Sequence, residues 1–110
     1  MIKMDNREDL EVELKKNKQV LALFYATWCP YCVRSVPNFD KKAASLEFKN
    51  IVHVLLDDYD NQLWDDFDIP AVPTVIYFEN GKESKRLDGK LGRGLNEREF
   101  NVWIEGFKPT

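Results

Sequence analysis

Cys29 and Cys32 are the residues of this sequence best suited to covalent chemistry, and they are its only cysteines. They stand in the run Trp28-Cys29-Pro30-Tyr31-Cys32, with two residues between them. A thiolate can attack a disulfide, and a second thiol nearby can then break the mixed disulfide that results. The spacing, placed between a predicted strand and a predicted helix, therefore indicates thiol–disulfide exchange.

The segments on either side of the pair predict how the two sulfurs are positioned. Gln19 to Thr27 is a continuous apolar run that predicts a buried central strand, and a helix is expected from about Pro30 to Leu46. Cys29 then caps the helix, with Pro30 in the first turn, where its missing N–H costs nothing. Unpaired backbone N–H groups and the helix dipole would stabilise a thiolate at Cys29. Cys32, one turn further along, can reach Cys29 and is shielded from the helix N-terminus.

The other segments predict an α/β fold in which helices cover both faces of a central mixed β-sheet. A possible short strand at Ile2 to Met4 comes first, and Pro37 predicts a kink in the second helix. The further expected elements are a helix capped by Asp5 or Asn6 with a capping-box pattern from Asp5 to Glu8, a strand over Ile51–Leu56, a short helix over Asn61–Phe67, a strand over Thr74–Phe78, a turn over Glu79–Lys82, a strand over Glu83–Leu87, and a last helix opened by Asn96–Glu99. The length of 110 residues suits a single domain over residues 1–110.

Composition and charge narrow the classes of function. The formal net charge of −3, from 16 Lys and Arg against 19 Asp and Glu, argues against generic nucleic-acid binding. The longest apolar run, Val20 to Ala26, is far shorter than the roughly 20 residues of a membrane helix, and the N-terminus has no apolar segment typical of a signal peptide. We therefore expect a cytoplasmic monomer with neither a nucleic-acid nor a membrane partner.

Other interpretations of the cysteine pair stay open. Zinc needs four ligands, and the sequence has no third cysteine and a single histidine, His53, in a predicted strand. A metal site would therefore need ligands shared between two chains, and we assign no metal ligands within one chain. The pair would otherwise be an inert structural disulfide. His53 itself is interpreted as a sheet residue rather than as a base.

Three separated segments resemble the thioredoxin superfamily over nearly the whole chain. The first is Phe24–Cys32, followed by Pro37 five residues after the second cysteine. The second, Ala71–Thr74, resembles the cis-proline loop of the family, and the third, Tyr77–Lys82, resembles the hairpin that follows that loop. The resemblance implies a thioredoxin-like fold, with a central mixed sheet flanked by helices.

The resemblance also implies roles for individual residues. Cys29 would be the attacking cysteine and Cys32 the resolving one, and together they would form a redox-active disulfide. Pro73 matches the cis-proline, and the backbone before it, at Val72, would pair with the bound substrate. The expected substrate-binding surface consists of Trp28, Pro30, Tyr31, Val72 and Pro73.

The sequence departs from thioredoxins in three places. Leu23 stands where thioredoxins usually have a buried Asp that helps to move the proton of the resolving thiol. Pro30 and Tyr31 replace the usual Gly-Pro and form a glutaredoxin-type pair, from which we predict a couple more oxidising than thioredoxin, at about −270 to −180 mV. The segment Asp88–Gly94 is longer and richer in glycine than its thioredoxin counterpart, which indicates a mobile or tightly turned segment or a tolerated insertion.

These observations predict a thioredoxin-like oxidoreductase that acts on disulfide-containing proteins. Because no nucleotide or flavin motif occurs, we expect no cofactor and an external electron donor, either a thioredoxin reductase-type enzyme or glutathione. One alternative is a glutathione-dependent, glutaredoxin-like enzyme, although Lys85–Asp88 does not match the Gly-Gly segment with which glutaredoxins hold glutathione. The other is a binding module that is redox-switched or bridged by a metal.

Overall fold

A five-stranded sheet carries the cysteine pair at the end of a central strand. The computed structural model of the chain describes residues 2–107. Its elements are β1 (Ile2–Met4), α1 (Arg7–Lys16), β2 (Gln19–Tyr25), α2 (Pro30–Ser45), β3 (Ile51–Leu55), α3 (Leu63–Asp66), β4 (Thr74–Glu79), β5 (Lys82–Leu87) and α4 (Glu97–Glu105). None of the helices in this described part of the chain is long and apolar enough to cross a membrane.

The sheet is mixed, with the strand order β1-β3-β2-β4-β5. β1, β3 and β2 are parallel, whereas β4 runs antiparallel to both β2 and β5. β2 therefore lies in the middle of the sheet, and every residue from Val20 to Tyr25 is buried. Burial on both faces explains why this strand is continuously apolar rather than alternating.

Helices cover the two faces of the sheet, as expected for the predicted α/β class, which is confirmed. On one face Phe39 of α2 contacts both Phe100 of α4 and His53 of β3, with ring centroids 5.4 and 5.9 Å apart. On the other face Phe24 of β2 contacts Phe67, which directly follows α3, at 5.5 Å. Successive side chains of β2 thus face different pairs of helices.

The helix caps explain where α1 and α4 begin. Asn6 caps α1, because its Oδ1 accepts a hydrogen bond from the Asp9 backbone N–H at 2.8 Å. The capping pair thus lies one residue later than the Asp5–Glu8 pattern suggests. Asn96 caps α4 as predicted, and its Oδ1 accepts from the Glu99 N–H at 2.8 Å.

Two further bounds differ from the expected ones for local reasons. β2 ends at Tyr25 because the Thr27 N–H binds a side chain instead of a neighbouring strand. α3 begins later than expected because the Asn61 side chain accepts from the Leu63 N–H at 2.9 Å and forms a turn of its own. The Asn-Gly hairpin turn is as predicted, with φ of 54° at Asn80 and 80° at Gly81.

Candidate active site

Cys29 is the N-cap residue of α2, so its sulfur lies at the positive end of the helix. Its backbone is extended, with φ −90° and ψ 116°, and the Cys32 backbone N–H donates to Cys29 Sγ at 3.3 Å. Pro30 occupies the first turn and is exposed beside this sulfur. A helix N-terminus favours negative charge, so the arrangement can stabilise a thiolate at Cys29.

Cys32 lies in a different environment, although both cysteines are free thiols in this structure. Its side chain is only 1% exposed. Burial raises the pKa of the Cys32 thiol far above its ordinary value, and the hydrogen bond to Cys29 and the charge of Asp57 act in the same direction, whereas a hydrogen bond with the Ala26 backbone lowers the pKa. Cys32 therefore keeps its proton at neutral pH and must lose it before it can attack a disulfide.

The segment around Pro73 packs against Cys29. The Val72–Pro73 peptide bond is cis, in agreement with the resemblance of this loop. The Cys29 thiol donates to the Val72 carbonyl at the long distance of 3.8 Å. The Thr74 hydroxyl donates to the Ala71 carbonyl at 2.7 Å and closes the loop on itself. Two of the three sequence segments that carry the resemblance are thus in contact.

Asp57 holds the residues that precede Cys29. The Thr27 N–H and hydroxyl donate to its two carboxylate oxygens at 2.7 and 2.6 Å. Trp28 Nε1 donates to the Asp57 carbonyl at 2.9 Å. The Trp28 indole stacks on Tyr59, with ring centroids 5.0 Å apart, and stays 45% exposed. Trp28 is therefore a surface residue beside the cysteines rather than a core tryptophan.

Sequence reasoning did not assign a role to Asp57 or Tyr59. A signal was nevertheless present, because Asp57 follows β3 by two residues and β3 is parallel to β2. Parallel strands end at the same edge of a sheet, so residues directly after β3 must lie near those directly after β2. The topology therefore brings Asp57 to the segment that enters the cysteine turn.

Tyr31 is held by the glycine-rich segment, which is tightly turned. Lys90 N–H donates to the Gly94 carbonyl at 3.0 Å, and Gly94 N–H donates back at 2.7 Å. The Tyr31 hydroxyl donates to the Gly92 carbonyl at 2.6 Å. A Cβ on Gly94 would lie 2.5 Å from Tyr31 Cβ and 3.3 Å from Pro73 Cδ. The segment thus forms one wall of the site.

A cavity of about 260 Å³ opens between α2 and α4 beside this wall. Its apolar lining is formed by Leu23, Tyr31, Phe39, Pro73, Val75, Leu95 and Phe100. Leu23 is 1% exposed, so the position at which thioredoxins usually have a carboxylate is apolar here. Among residues 2–107, no three or more His, Cys, Asp or Glu side chains are arranged to hold a metal ion.

A chain of three polar side chains lies under α2. Tyr25 Oη and His53 Nδ1 are 2.9 Å apart, and His53 Nε2 lies 2.7 Å from Asp40 Oδ1. His53 is 2% exposed, so this sheet residue has a hydrogen-bond partner at each ring nitrogen. Burial raises the pKa of Tyr25, and the negative charges of Asp40 and Asp57 act in the same direction, as does Cys32 once it is ionised.

The structure brings all the predicted site residues together around the two sulfurs. Trp28 and Pro30 are exposed, Tyr31 is half-buried, and Val72 and Pro73 are buried. At Val72 it is therefore the backbone, rather than the side chain, that faces Cys29. The arrangement offers one sulfur at a helix N-terminus, a second buried behind it, and an apolar rim.

Comparisons with known proteins identify chains of similar sequence and fold. The Thioredoxin family profile matches residues 1–98. The thioredoxin of Mycoplasmoides gallisepticum is 33% identical over 84 residues, which cover 76% of this chain and 83% of that protein. Protein disulfide-isomerase A5 of Bos taurus is 33% identical over 99% of this chain, which spans only 21% of that protein's length. The crystal structure of Fasciola hepatica thioredoxin matches with a TM-score of 0.79 and 25% identity, over 98% of this chain and 100% of that one.

Proposed function

The chain belongs to the thioredoxin family and is a protein-disulfide oxidoreductase, and from this we propose that Cys29 and Cys32 form its redox couple. The observation that carries the proposal is the position of Cys29. Its sulfur caps α2, accepts the Cys32 N–H at 3.3 Å and lies against the loop of the cis Val72–Pro73 bond. A nucleophilic sulfur needs this electropositive environment, and a resolving thiol needs to lie within reach of it.

The proposed reaction has two exchange steps. The Cys29 thiolate attacks one sulfur of a substrate disulfide, whose S–S bond breaks, and the departing substrate sulfur takes up a proton. Cys32 then loses its proton and attacks Cys29 Sγ, which breaks the mixed disulfide and releases the second substrate sulfur. Two electrons pass to the substrate, and the enzyme is left with a Cys29–Cys32 disulfide.

The substrate would lie on the surface formed by Trp28, Pro30, Tyr31, Val72 and Pro73. The exposed rings of Trp28 and Pro30 would supply apolar contact on either side of the reactive sulfur. The backbone at Val72, already directed at Cys29, would pair with the main chain of the substrate. Such backbone pairing is tolerant of substrate sequence, which suits an enzyme with several protein substrates.

The electrons must come from a separate donor, for which a thioredoxin reductase-type enzyme is the first candidate and glutathione the second. We propose that one domain over residues 1–110 acts as a monomer in the cytoplasm, where such donors keep dithiols reduced. The Pro30–Tyr31 pair supports a glutaredoxin-type couple at about −270 to −180 mV, more oxidising than thioredoxin.

A redox titration of the protein in glutathione buffers, combined with an insulin-reduction assay, tests the couple. We expect one reversible two-electron transition and reduction of insulin disulfides. Cys29→Ser should abolish both, and Cys32→Ser should abolish the internal bridge while leaving Cys29 open to alkylation. A protein that forms no Cys29–Cys32 bridge would contradict the proposal. A reduction potential below that of thioredoxin would contradict the prediction of a more oxidising couple.

Glutathione-dependent activity is a second candidate, favoured by Pro30 and Tyr31 between the cysteines. The segment after the hairpin argues against it, since Arg86 there is bound to Glu83 and Asp88 at 2.7 and 2.8 Å. The Cys32→Ser variant separates the two functions. If this monothiol form reduces glutathione mixed disulfides, the enzyme is glutaredoxin-like.

A further inference from the structure

The resolving step needs a proton acceptor that Leu23 cannot supply. Cys32 is buried and holds its proton at neutral pH, whereas its sulfur attacks as a thiolate. Leu23 is aliphatic and 1% exposed, so no carboxylate occupies that place under the cysteines. Besides Cys29, two ionisable side chains lie near Cys32: Asp57, and Tyr25, which directly precedes the Ala26 backbone that is hydrogen-bonded to Cys32. The acceptor should therefore be sought at Asp57 or at Tyr25.

Asp57 is already engaged as an acceptor. Both of its carboxylate oxygens receive short hydrogen bonds from Thr27, at 2.7 Å from the N–H and 2.6 Å from the hydroxyl. These bonds hold the turn that precedes Cys29, and a proton on Asp57 would break one of them. The contacts of Asp57 therefore fit a structural role better than that of a base.

Tyr25 begins a hydrogen-bonded chain with one direction. An ionised carboxylate can only accept, so Asp40 fixes the proton of His53 on Nε2, 2.7 Å away. When the ring is neutral, Nδ1 is then the acceptor, and the Tyr25 hydroxyl, 2.9 Å away, donates to it. The Tyr25 oxygen keeps its lone pairs for a further donor. Every bond of this chain is thus oriented to carry a proton from Tyr25 towards Asp40.

The two ends of the chain lie in different surroundings. Tyr25 is 7% exposed and directly precedes Ala26, whose backbone is hydrogen-bonded to Cys32. His53 is buried in the middle, and the side chain of Asp40 is 28% exposed on α2. The chain therefore leads from the buried side of the cysteine pair to solvent, as a route for proton release must.

We propose that Tyr25, His53 and Asp40 form the proton-release path of the resolving cysteine, a role that rests on the proposed Cys29–Cys32 couple. The Cys32 proton passes through one water molecule to the Tyr25 oxygen, as the Tyr25 proton moves to His53 Nδ1. The His53 Nε2 proton moves to Asp40 and from there to solvent. The electron pair left on Cys32 forms the bond to Cys29, and the substrate sulfur that departs takes a proton from water. The three residues act only through Cys32 and do not touch the substrate.

A stopped-flow reaction with 5,5′-dithiobis(2-nitrobenzoate) separates the two steps. Attack by Cys29 releases one coloured thiolate, and resolution by Cys32 releases a second. We expect Tyr25→Phe and His53→Gln to slow the second phase about tenfold or more at pH 7, the low end of general acid–base effects, while the first phase stays within about twofold. The deficit should shrink as pH rises, because hydroxide then takes the proton directly.

Two comparisons distinguish proton transfer from support of the fold. The glutamine in His53→Gln still offers a donor and an acceptor but cannot pass a proton between them, so a structural role alone would tolerate it. Tyr77→Phe removes the hydroxyl of another buried tyrosine, on β4, and should leave both phases unchanged. If His53→Gln does not fold, as judged by circular dichroism, Tyr25→Phe decides by itself.

Three outcomes would be decisive. A second phase within twofold of the wild type in Tyr25→Phe would overturn the path. So would a second phase that is slowed only by Asp57→Asn, which would make Asp57 the base. A wild-type protein without any second phase would instead refute the Cys29–Cys32 couple, so the two proposals fail in distinguishable ways.

Discussion

The cysteine turn is held from two sides, and the two sides use different forces. After β3, the Asp57 carboxylate binds Thr27 through two charge-assisted hydrogen bonds. After β5, the glycine-rich segment binds Tyr31 through the Gly92 carbonyl and lets the backbone of Gly94 pack against the ring. One side holds the turn through a negatively charged side chain, and the other holds it through a neutral backbone carbonyl and close steric approach.

This difference divides two tasks at one site. Burial is the largest cause of the raised pKa of Cys32 and of Tyr25, and the charge of Asp57 adds to it in both cases. The glycine-rich segment has no such effect on the sulfurs, but it fixes Tyr31 and Pro73, which belong to the proposed substrate surface. We call the region of Asp57 and Thr27 the Asp57 side, and the glycine-rich segment with Tyr31 the glycine side. We infer that the Asp57 side acts on the reactivity of the cysteines and that the glycine side controls how a protein substrate reaches them.

Gly94→Ala should have the largest effect, because it disrupts the close packing of the glycine side against Tyr31. A residue with a Cβ at φ 71° costs about 1–2 kcal/mol, and the Cβ would also lie 2.5 Å from that of Tyr31. Overpacking of this kind costs about 1–3 kcal/mol more, as measured by urea unfolding. Because Tyr31 is displaced, insulin reduction should fall about 10- to 100-fold.

Gly92→Ala is the matched control for this clash. Gly92 has a similar φ of 78°, but no atom lies within 4 Å of the place that its Cβ would take. It should therefore lose only the backbone cost of about 1–2 kcal/mol and keep its activity. Equal losses of activity in the two variants would show that the contact with Tyr31 does not shape the site.

The sequence predicted the elements around the site better than the contacts between them. The apolar run of β2 and the Asn80-Gly81 turn are local signals, and the structure has both elements as expected. The Tyr31–Gly92 hydrogen bond, in contrast, joins residues 61 positions apart. No periodicity encodes such a contact, and the sequence therefore left the glycine-rich segment open between a mobile loop, a tight turn and an insertion.

The polar chain under α2 shows the same limit. His53 and Tyr25 meet because β2 and β3 pair in parallel with Leu23 opposite His53, which places both side chains on the face below α2. A shift of one residue in this register would turn His53 to the other face of the sheet. The sequence identified His53 as a residue in a strand, but its two partners depend on the register.

Asp57→Asn removes the charge of the Asp57 side and should cost less stability than Gly94→Ala. Asparagine keeps one acceptor for Thr27 but no charge, so we expect a loss of about 1.5–3 kcal/mol in urea unfolding. Although stability falls, the step in which Cys32 attacks the mixed disulfide should become easier. Without the negative charge the pKa of Cys32 falls, although burial still keeps it raised, and the second phase of disulfide exchange should rise at lower pH than in the wild type.

The pH dependence of stability follows from the same shift. A thiol whose pKa is raised by folding contributes stability that is present below its unfolded value of about 8.5 and is lost as pH rises through the folded value. The reduced wild type should therefore become less stable above about pH 8.5. Cys32→Ser should remove this part of the decline, and a decline that is identical in the variant would show that Cys32 ionises normally.

Tyr31→Phe should have the smallest effect, because it removes one hydrogen bond of the glycine side and introduces no clash. The lost hydrogen bond to the Gly92 carbonyl is partly exposed, so urea unfolding should show a loss of about 0.5–1.5 kcal/mol. The ring stays, and a small aromatic disulfide should be reduced at the wild-type rate. A protein substrate covers the rim and should be reduced more slowly, with the change in KM rather than in kcat.

Tyr59→Phe is the control on the Asp57 side, where the Tyr59 ring stacks on Trp28 and should still do so without its hydroxyl. If both variants change the KM for insulin equally, the two sides contribute alike to access, and the division of tasks proposed for them is wrong.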